Sequence, residues 1–176
     1  IAIGYSALGS EDTGGRNVAI GRAALNVLNA GQDGYNVAIG DDAGFSMTTG
    51  TNNTLVGGLA GDALTTGIQN VAIGYLALTT EDTGSKSVAI GTAALSAQNY
   101  DGHAFNTAIG HDAGAAVTTG THNTLVGGLT GDALTTGTYN TLMGYDAGGA
   151  LDVGGLNVAI GAFALDKEDT YGRNVA

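Results

Sequence analysis

The chain has 176 residues and a formal net charge of −11, because 16 acidic residues oppose five basic ones. This charge disfavours nucleic acid and anionic membrane surfaces as partners. The absence of Cys excludes disulfides, thiol nucleophiles and Cys-based metal sites. No apolar run approaches about 18 residues, so we expect no membrane insertion by this segment.

A five-residue motif, beginning with Asn and ending with Gly, organises the chain; its clearest copies are 36–40, 70–74, 106–110 and 157–161. Counting looser copies, the motif starts at positions 17, 36, 53, 70, 87, 106, 123, 140, 157 and 174. The spacing is constant, except that the steps beginning at Asn17 and Ser87 are each longer by two. The repeat is therefore regular enough to dictate the architecture.

The sequence also has a longer repeat, which contains several of the short ones. It relates 1–8 to 71–78, and we call the stretches that begin at Ile1 and Val71 the first copy and the second copy. One additional unit of regular length, 140–156, follows in the second copy, and insertion of a whole unit is typical of solenoids. We read 1–176 as a single repetitive fibre segment of about ten coils, cut from a longer chain.

Each motif predicts a short β-strand, because apolar residues alternate with Asn, Ala and Gly. Thr- and Gly-rich connections follow and leave no room for a helix. Stacking of identical residues, coil upon coil, predicts an all-β parallel roll or solenoid with an apolar ladder of Val and Ile, an amide ladder of Asn and a Gly column that turns the backbone. The residues that we assign to these structural ladders are Asn36, Asn53, Asn70, Asn106, Asn123, Asn140, Asn157, Ile39, Ile73, Ile109, Ile160, Gly40, Gly74, Gly110 and Gly161.

The apolar motif occurs only once per coil, which suggests that one chain cannot enclose a good core alone. Three chains lying side by side or intertwined would bury these faces against one another. We therefore expect a homotrimer with the three chains in register.

The tandem Asn-Val-Ala-Ile-Gly copies resemble the head repeats of trimeric autotransporter adhesins, which form a left-handed parallel β-roll trimer. The pattern over 106–124 is also similar to repeats in bacteriophage tail fibres and large bacterial surface proteins. The resemblance covers essentially the whole chain, although adhesin heads usually have shorter units. It implies a non-enzymatic extracellular fibre, on a cell surface or a virion, that attaches to a host-surface glycan or protein receptor.

The acidic pairs Glu11-Asp12, Glu81-Asp82 and Glu168-Asp169 recur with the repeat, so we interpret them as solvated loop edges rather than catalytic carboxylates. No nucleophile or phosphate-binding motif is present, and we predict no catalytic residue. The residues His103, His111 and His122 lack metal-ligand spacing and are expected to be exposed turn residues.

Aspartates recur at Asp42, Asp112 and Asp146, and again at Asp62 and Asp132. Calcium prefers such oxygen ligands, but turn capping by Asp is the simpler interpretation. No cofactor is predicted. The alternative function is a monomeric solenoid that binds calcium through these Asp residues, or ice through a recurring Thr column that includes Thr49, Thr66 and Thr136.

Overall fold

The structure, a computed structural model, describes residues 1–11, 13–167 and 172–176. Over these ranges the chain forms ten short parallel strands and no helix. The strands are β1 Ala2–Ile3, β2 Val18–Ile20, β3 Val37–Ile39, β4 Thr54–Val56, β5 Val71–Ile73, β6 Val88–Ile90, β7 Thr107–Ile109, β8 Thr124–Val126, β9 Thr141–Met143 and β10 Val158–Ile160. Each strand pairs with the next in one sheet, and equivalent motif residues lie opposite each other. The chain is therefore a parallel β-solenoid whose coils follow the predicted repeats.

The middle residue of each strand points into the coil, and the two residues beside it point outward. Ala72, for example, is fully buried, whereas Val71 is half-buried and Ile73 is 36% exposed. The ladder of Val and Ile therefore lies on the outer side of the coil wall, and the Ala or Leu between them fills the interior. Asn70 also points inward, where its amide bonds to neighbouring coils, and strand alternation then places Ala72 inside and Ile73 outside.

One chain encloses its own core, which corrects the inference that a single coil is too poor in apolar residues. The inner strand residues face apolar side chains from the connections, such as Leu64 and Leu134, and both groups are fully buried. Large and small residues alternate between the walls: Gly61 leaves the space that the side chains of Leu55 and Leu64 fill. The sequence signal for this second wall was the Leu or Met that precedes the Thr-rich connection.

The Gly that ends each motif is required for two reasons at once. Gly74 and Gly110 have φ angles of +135° and +143°, which L side chains rarely adopt. A Cβ on Gly74 would also overlap the carbonyl oxygen of Gly91 in the next coil. These two constraints fix the first corner of every coil, directly after the strand.

The two longer coils, 17–35 and 87–105, keep the strand register of their neighbours. The backbone hydrogen bonds to the neighbouring coils continue up to Asn29 and Asn99, before the extra residues. They resume at Gly34 and Ala104, after them. The additional residues therefore widen one connection in each coil and leave the rest of the solenoid regular.

Candidate functional site

The Asn column is a buried ladder of amides. In Asn53, the side-chain Nδ2 donates to the carbonyl oxygen of Gly67 at 2.9 Å, and the backbone N–H donates to Oδ1 of Asn36 at 2.9 Å. The same bonds recur from coil to coil and are interrupted at Ser87. Because the amides are buried and bonded within the chain, the column holds successive coils in register and presents no surface to a ligand.

The outward strand residues form an apolar face along one side of the solenoid. We call the fourth motif position, which bears Ile3, Ile20, Ile39, Val56, Ile73, Ile90, Ile109, Val126, Met143 and Ile160, the outward column. In the middle of the molecule Ile39, Ile73 and Ile109 are 36–38% exposed. The second motif position, occupied by Val or Thr, runs beside it. The result is a flat face on which apolar side chains remain in contact with solvent.

A second surface column lies directly before the Asn column. Its members are Arg16, Tyr35, Asn52, Gln69, Lys86, Phe105, His122, Tyr139, Leu156 and Arg173, which we call the edge column. All have φ angles between 52° and 66°, the left-handed region, so each marks a corner of its coil. The column holds three of the five basic residues of the chain and no acidic residue. No sequence motif marks this column, and its members form a set only through their shared position before each Asn of the repeat.

The edge column contains a run of stacked side chains centred on Phe105. The Nζ of Lys86 lies 5.3 Å from the Phe105 ring centroid, and the centroid of His122 lies 5.2 Å away on the following coil. The ring of His103 meets Phe105 edge-on at 5.8 Å, and Tyr139 stacks on His122 at 4.6 Å. Two of the three predicted turn histidines thus come together around one aromatic ring, while His111 pairs with Asp112 at 3.0 Å.

Glu81 is fully buried, so its interpretation as a solvated loop edge was wrong. Its carboxylate accepts hydrogen bonds from the backbone N–H of Gly84 at 2.8 Å, from Nε2 of Gln98 at 2.9 Å and from the N–H of Tyr100. Glu11 is half-buried and accepts from the N–H of Gly14 at 2.7 Å. Glu11 and Glu81 occupy the coil position at which other coils place a buried apolar residue such as Leu64. Their carboxylates accept hydrogen bonds from backbone N–H groups of the following turn. Asp12, Glu168 and Asp169 lie outside the described residues.

The recurring aspartates sit at turns. Asp42, Asp112 and Asp146 have φ angles of 54–55°, a conformation that Asp tolerates better than most side chains. Asp42 also pairs with Arg22 at 2.6 Å, and hydrogen bonds to Asp41 and Asp42 raise the pKa of the Arg22 guanidinium. Over the described residues, no three His, Cys, Asp or Glu side chains are grouped closely enough to hold a metal ion. Calcium binding and ice binding stay predictions.

The pKa of Asp132 is raised because burial penalises its charged form and because Asp146 lies nearby. At the equivalent place in the first copy, Asp62 accepts a hydrogen bond from the hydroxyl of Thr79 at 2.5 Å. Relative to Asp132, Gly149 occupies the position that Thr79 has relative to Asp62. The two aspartates therefore share a backbone position and differ in their partners.

Comparison with protein families, curated proteins and solved structures finds no match to this chain. Among the described residues, the solenoid contains no ligand-sized pocket. The same part of the chain has no helix of the length and apolar character needed to cross a membrane. Two surface columns, the outward face and the edge column, carry side chains of a chemical character that a partner could recognise.

Proposed function

We propose that this chain is a non-enzymatic segment, shaft or head, of an extracellular fibre that attaches to a host cell or surface, and that three copies associate in register. The exposed outward column carries the proposal. The core is complete without the Val and Ile of this face, so their repetition in every coil needs another explanation. Burial against other copies of the chain provides one, because it removes apolar area from water at every coil.

The size of the outward face is adequate for a stable association. Ten coils at about 4.8 Å give a face about 50 Å long, and the five residues of a motif, three of them in the strand, span about 17 Å. The product, roughly 800 Å², is comparable to the area that each partner contributes to a standard protein interface. The face is also uncharged along both of its columns, so its burial requires no compensation of charge.

The width of the face favours three copies. Packed sheets lie about 10 Å apart, so each sheet lies about 5 Å from the centre that it shares with its partners. A triangular prism whose walls lie about 5 Å from its axis has walls about 17 Å wide, which is the span of one five-residue motif. Three motifs, one from each chain, would close such a prism and fill it with Val and Ile.

The attachment role is supported by the regularity of the surface. Equivalent side chains recur at every coil and, in a trimer, on three chains, so that weak contacts add up through multivalency. The best-placed carboxylate for chemistry, Glu81, is engaged by Gly84, Gln98 and Tyr100, which accounts for its recurrence structurally. We therefore propose a mechanical and adhesive role for the segment rather than a catalytic one.

The test is the mass of the folded segment in solution, measured by light scattering with and without a calcium chelator. The expected result is three times the chain mass, unchanged by chelator. A folded monomer would overturn the trimer, and a monomer that unfolds with chelator would support the calcium-binding alternative. A dimer would retain the outward face as the interface and refute the threefold arrangement.

A variant locates the interface. Ile109→Lys places a charge in the middle of the outward column without altering the coil interior, so we expect it to dissociate the trimer into folded chains. Thr136→Lys, an exposed change on the connection, serves as the control and should stay trimeric. An Ile109→Lys protein that remains fully trimeric would exclude the outward face.

A further inference from the structure

Two equivalent clusters, one in each copy of the longer repeat, lie at the edge column and differ in their charge balance. In the first, the guanidinium of Arg16 lies 5.3 Å from the ring of Tyr35, and its Nε pairs with Asp33 at 2.8 Å. In the second, Lys86 lies over Phe105 at the same distance. His103 stands at the position of Asp33. The first cation thus has a carboxylate of its own chain as a counter-ion, and the second has a His there instead.

The cation of the second cluster has no carboxylate partner among the described residues. No ion pair among the described residues includes Lys86. Asp101 is the acidic residue of the adjacent longer connection, and its carboxylate accepts a hydrogen bond from Thr83 Oγ1 at 2.6 Å. In a chain of net charge −11, a cation without a counter-ion beside two imidazoles is an anion-favouring spot on an acidic surface.

The solvent-exposed side of the second cluster presents hydrogen-bond donors and the edges of aromatic rings. Because His122 and Tyr139 lie 19° from parallel at 4.6 Å, they cover each other's faces and leave their edges, which carry positive partial charge, toward solvent. Nδ1 of His122 is engaged with Thr121 Oγ1 at 3.1 Å. A ligand here would meet the ammonium group of Lys86, the imidazole nitrogens and the Tyr139 hydroxyl, spaced by about one coil of roughly 4.8 Å each.

We propose that Lys86, His103, Phe105, His122 and Tyr139 form a binding site for an anionic saccharide. One ammonium group followed by imidazole and hydroxyl groups suits a chain of hydroxyl groups with sparse negative charge. Densely charged polyanions would be repelled by the rest of the molecule. The proposal rests on the proposed function, because it supplies the ligand class for the attachment fibre, and it requires the edge column to stay accessible beside the outward face.

The experiment uses three polymers with one backbone: dextran, carboxymethyl-dextran and dextran sulfate, bound to the whole segment and measured by calorimetry at low ionic strength. We expect carboxymethyl-dextran, with its sparse charge, to bind best and plain dextran to bind at least about tenfold more weakly, since the contact with the charged donor is lost. Equal binding of plain dextran would overturn the role of charge. Preference for dextran sulfate would overturn the assignment to a sparsely charged saccharide.

Variants exploit the internal control. Lys86→Ala and His103→Asp should each weaken binding about tenfold, the second because it supplies Lys86 with the counter-ion that Arg16 already has. Arg16→Ala should leave binding unchanged, and Asp33→His should add at most a weaker site, because Asn52 and Gln69 stand where the second copy has His122 and Tyr139. All four positions are on the surface, and thermal unfolding checks that each variant is folded.

The outcomes separate this site from the fibre proposal. Loss of binding in Lys86→Ala with an unchanged mass supports the saccharide site, whatever the number of chains. An equal loss in Arg16→Ala, or no loss in His103→Asp, would refute the site and leave the trimer intact. A Lys86→Ala variant that changes the oligomeric mass would identify the edge column as a contact between copies and overturn the saccharide assignment.

Discussion

The coil that begins at Asn17 and its counterpart in the second copy, which begins at Ser87, have the same backbone register but fill their cores differently. In the first copy, Asn17 continues the amide ladder, and its Oδ1 accepts from the N–H of Asn36 at 3.0 Å. The connection of that coil supplies Leu28, which is fully buried. In the second copy, Ser87 interrupts the ladder and Gln98 stands in the place of Leu28.

In the second copy, the side-chain amide of Gln98, on the opposite wall of the core, takes the place of the Asn amide that is missing at Ser87. Oε1 of Gln98 accepts from Nδ2 of Asn106 at 2.8 Å, and its Nε2 donates to Ser87 Oγ and to Glu81, both at 2.9 Å. The comparison teaches that the solenoid requires a hydrogen-bonding partner at this level of the core but not a particular residue to provide it. The effects of substitutions at Ser87 and Gln98 on the free energy of unfolding should therefore be coupled.

The largest effect is expected from Glu81→Ala. The substitution leaves the N–H groups of Gly84 and Tyr100 and one Gln98 donor without their acceptor in the core, which should lower the free energy of unfolding by about 3–5 kcal/mol. Urea denaturation followed by circular dichroism measures it.

Glu11→Ala is the matched control from the first copy. Glu11 is half-buried and, among the described residues, accepts from Gly14 and, at 3.3 Å, from Nδ2 of Asn17, so we expect a loss of about 1–2 kcal/mol. Equal losses in the two variants would show that burial of Glu81 does not distinguish the copies.

A smaller loss of stability is expected from Gln98→Leu, which introduces one of the two residues, Leu28 and Asn17, that distinguish this coil in the first copy. Asn106 loses one acceptor and Glu81 loses one donor, at a cost of about 2 kcal/mol. Ser87→Asn alone should cost about 1–3 kcal/mol, because its amide competes with Gln98 for one space.

The double variant Ser87→Asn, Gln98→Leu rebuilds the arrangement of the first copy. It should recover most of the stability, with a coupling energy above about 1 kcal/mol in the double-mutant cycle. Additive losses would contradict the idea that the two positions substitute for each other.

The sequence predicted the position, order and register of the strands, because the spacing of the motif allows only one in-register stack. It did not predict which face of each strand is buried. A period of two residues leaves two choices, and the alternation alone does not select between them. Asn70 contained the deciding information: an amide that repeats in every coil needs buried partners, and once it points inward, Ala72 must follow it.

The candidate site was harder to foresee. The edge column depends on a left-handed backbone at bulky residues such as Phe105 and Tyr139, which local preferences disfavour and only the stacked coils enforce. The burial of Glu81 was hidden for a related reason. An acidic residue beside Asp82 and Thr83 has the composition of a surface loop, and only the donors of Gly84, Gln98 and Tyr100 make its interior position favourable.

The smallest predicted effect compares Asp132 with Asp62. Burial and the charge of Asp146 raise the pKa of Asp132, so the folded state binds its proton more tightly than the unfolded state does. Above the folded pKa this carboxylate therefore reduces stability, and the penalty disappears as the pH falls below the ordinary range of an Asp, about 4.

Asp132→Asn should accordingly raise the free energy of unfolding at pH 7 by less than about 1 kcal/mol, since the side chain is only half-buried and solvent screens it. The gain should shrink toward zero near pH 4. Asp62→Asn, the control at the equivalent position, should not raise the free energy of unfolding at pH 7, because Thr79 donates a hydrogen bond to that carboxylate. Urea denaturation at the two pH values checks both variants. A gain for Asp132→Asn that is independent of pH would show that lost packing strain, rather than the charge near Asp146, separates these two equivalent positions.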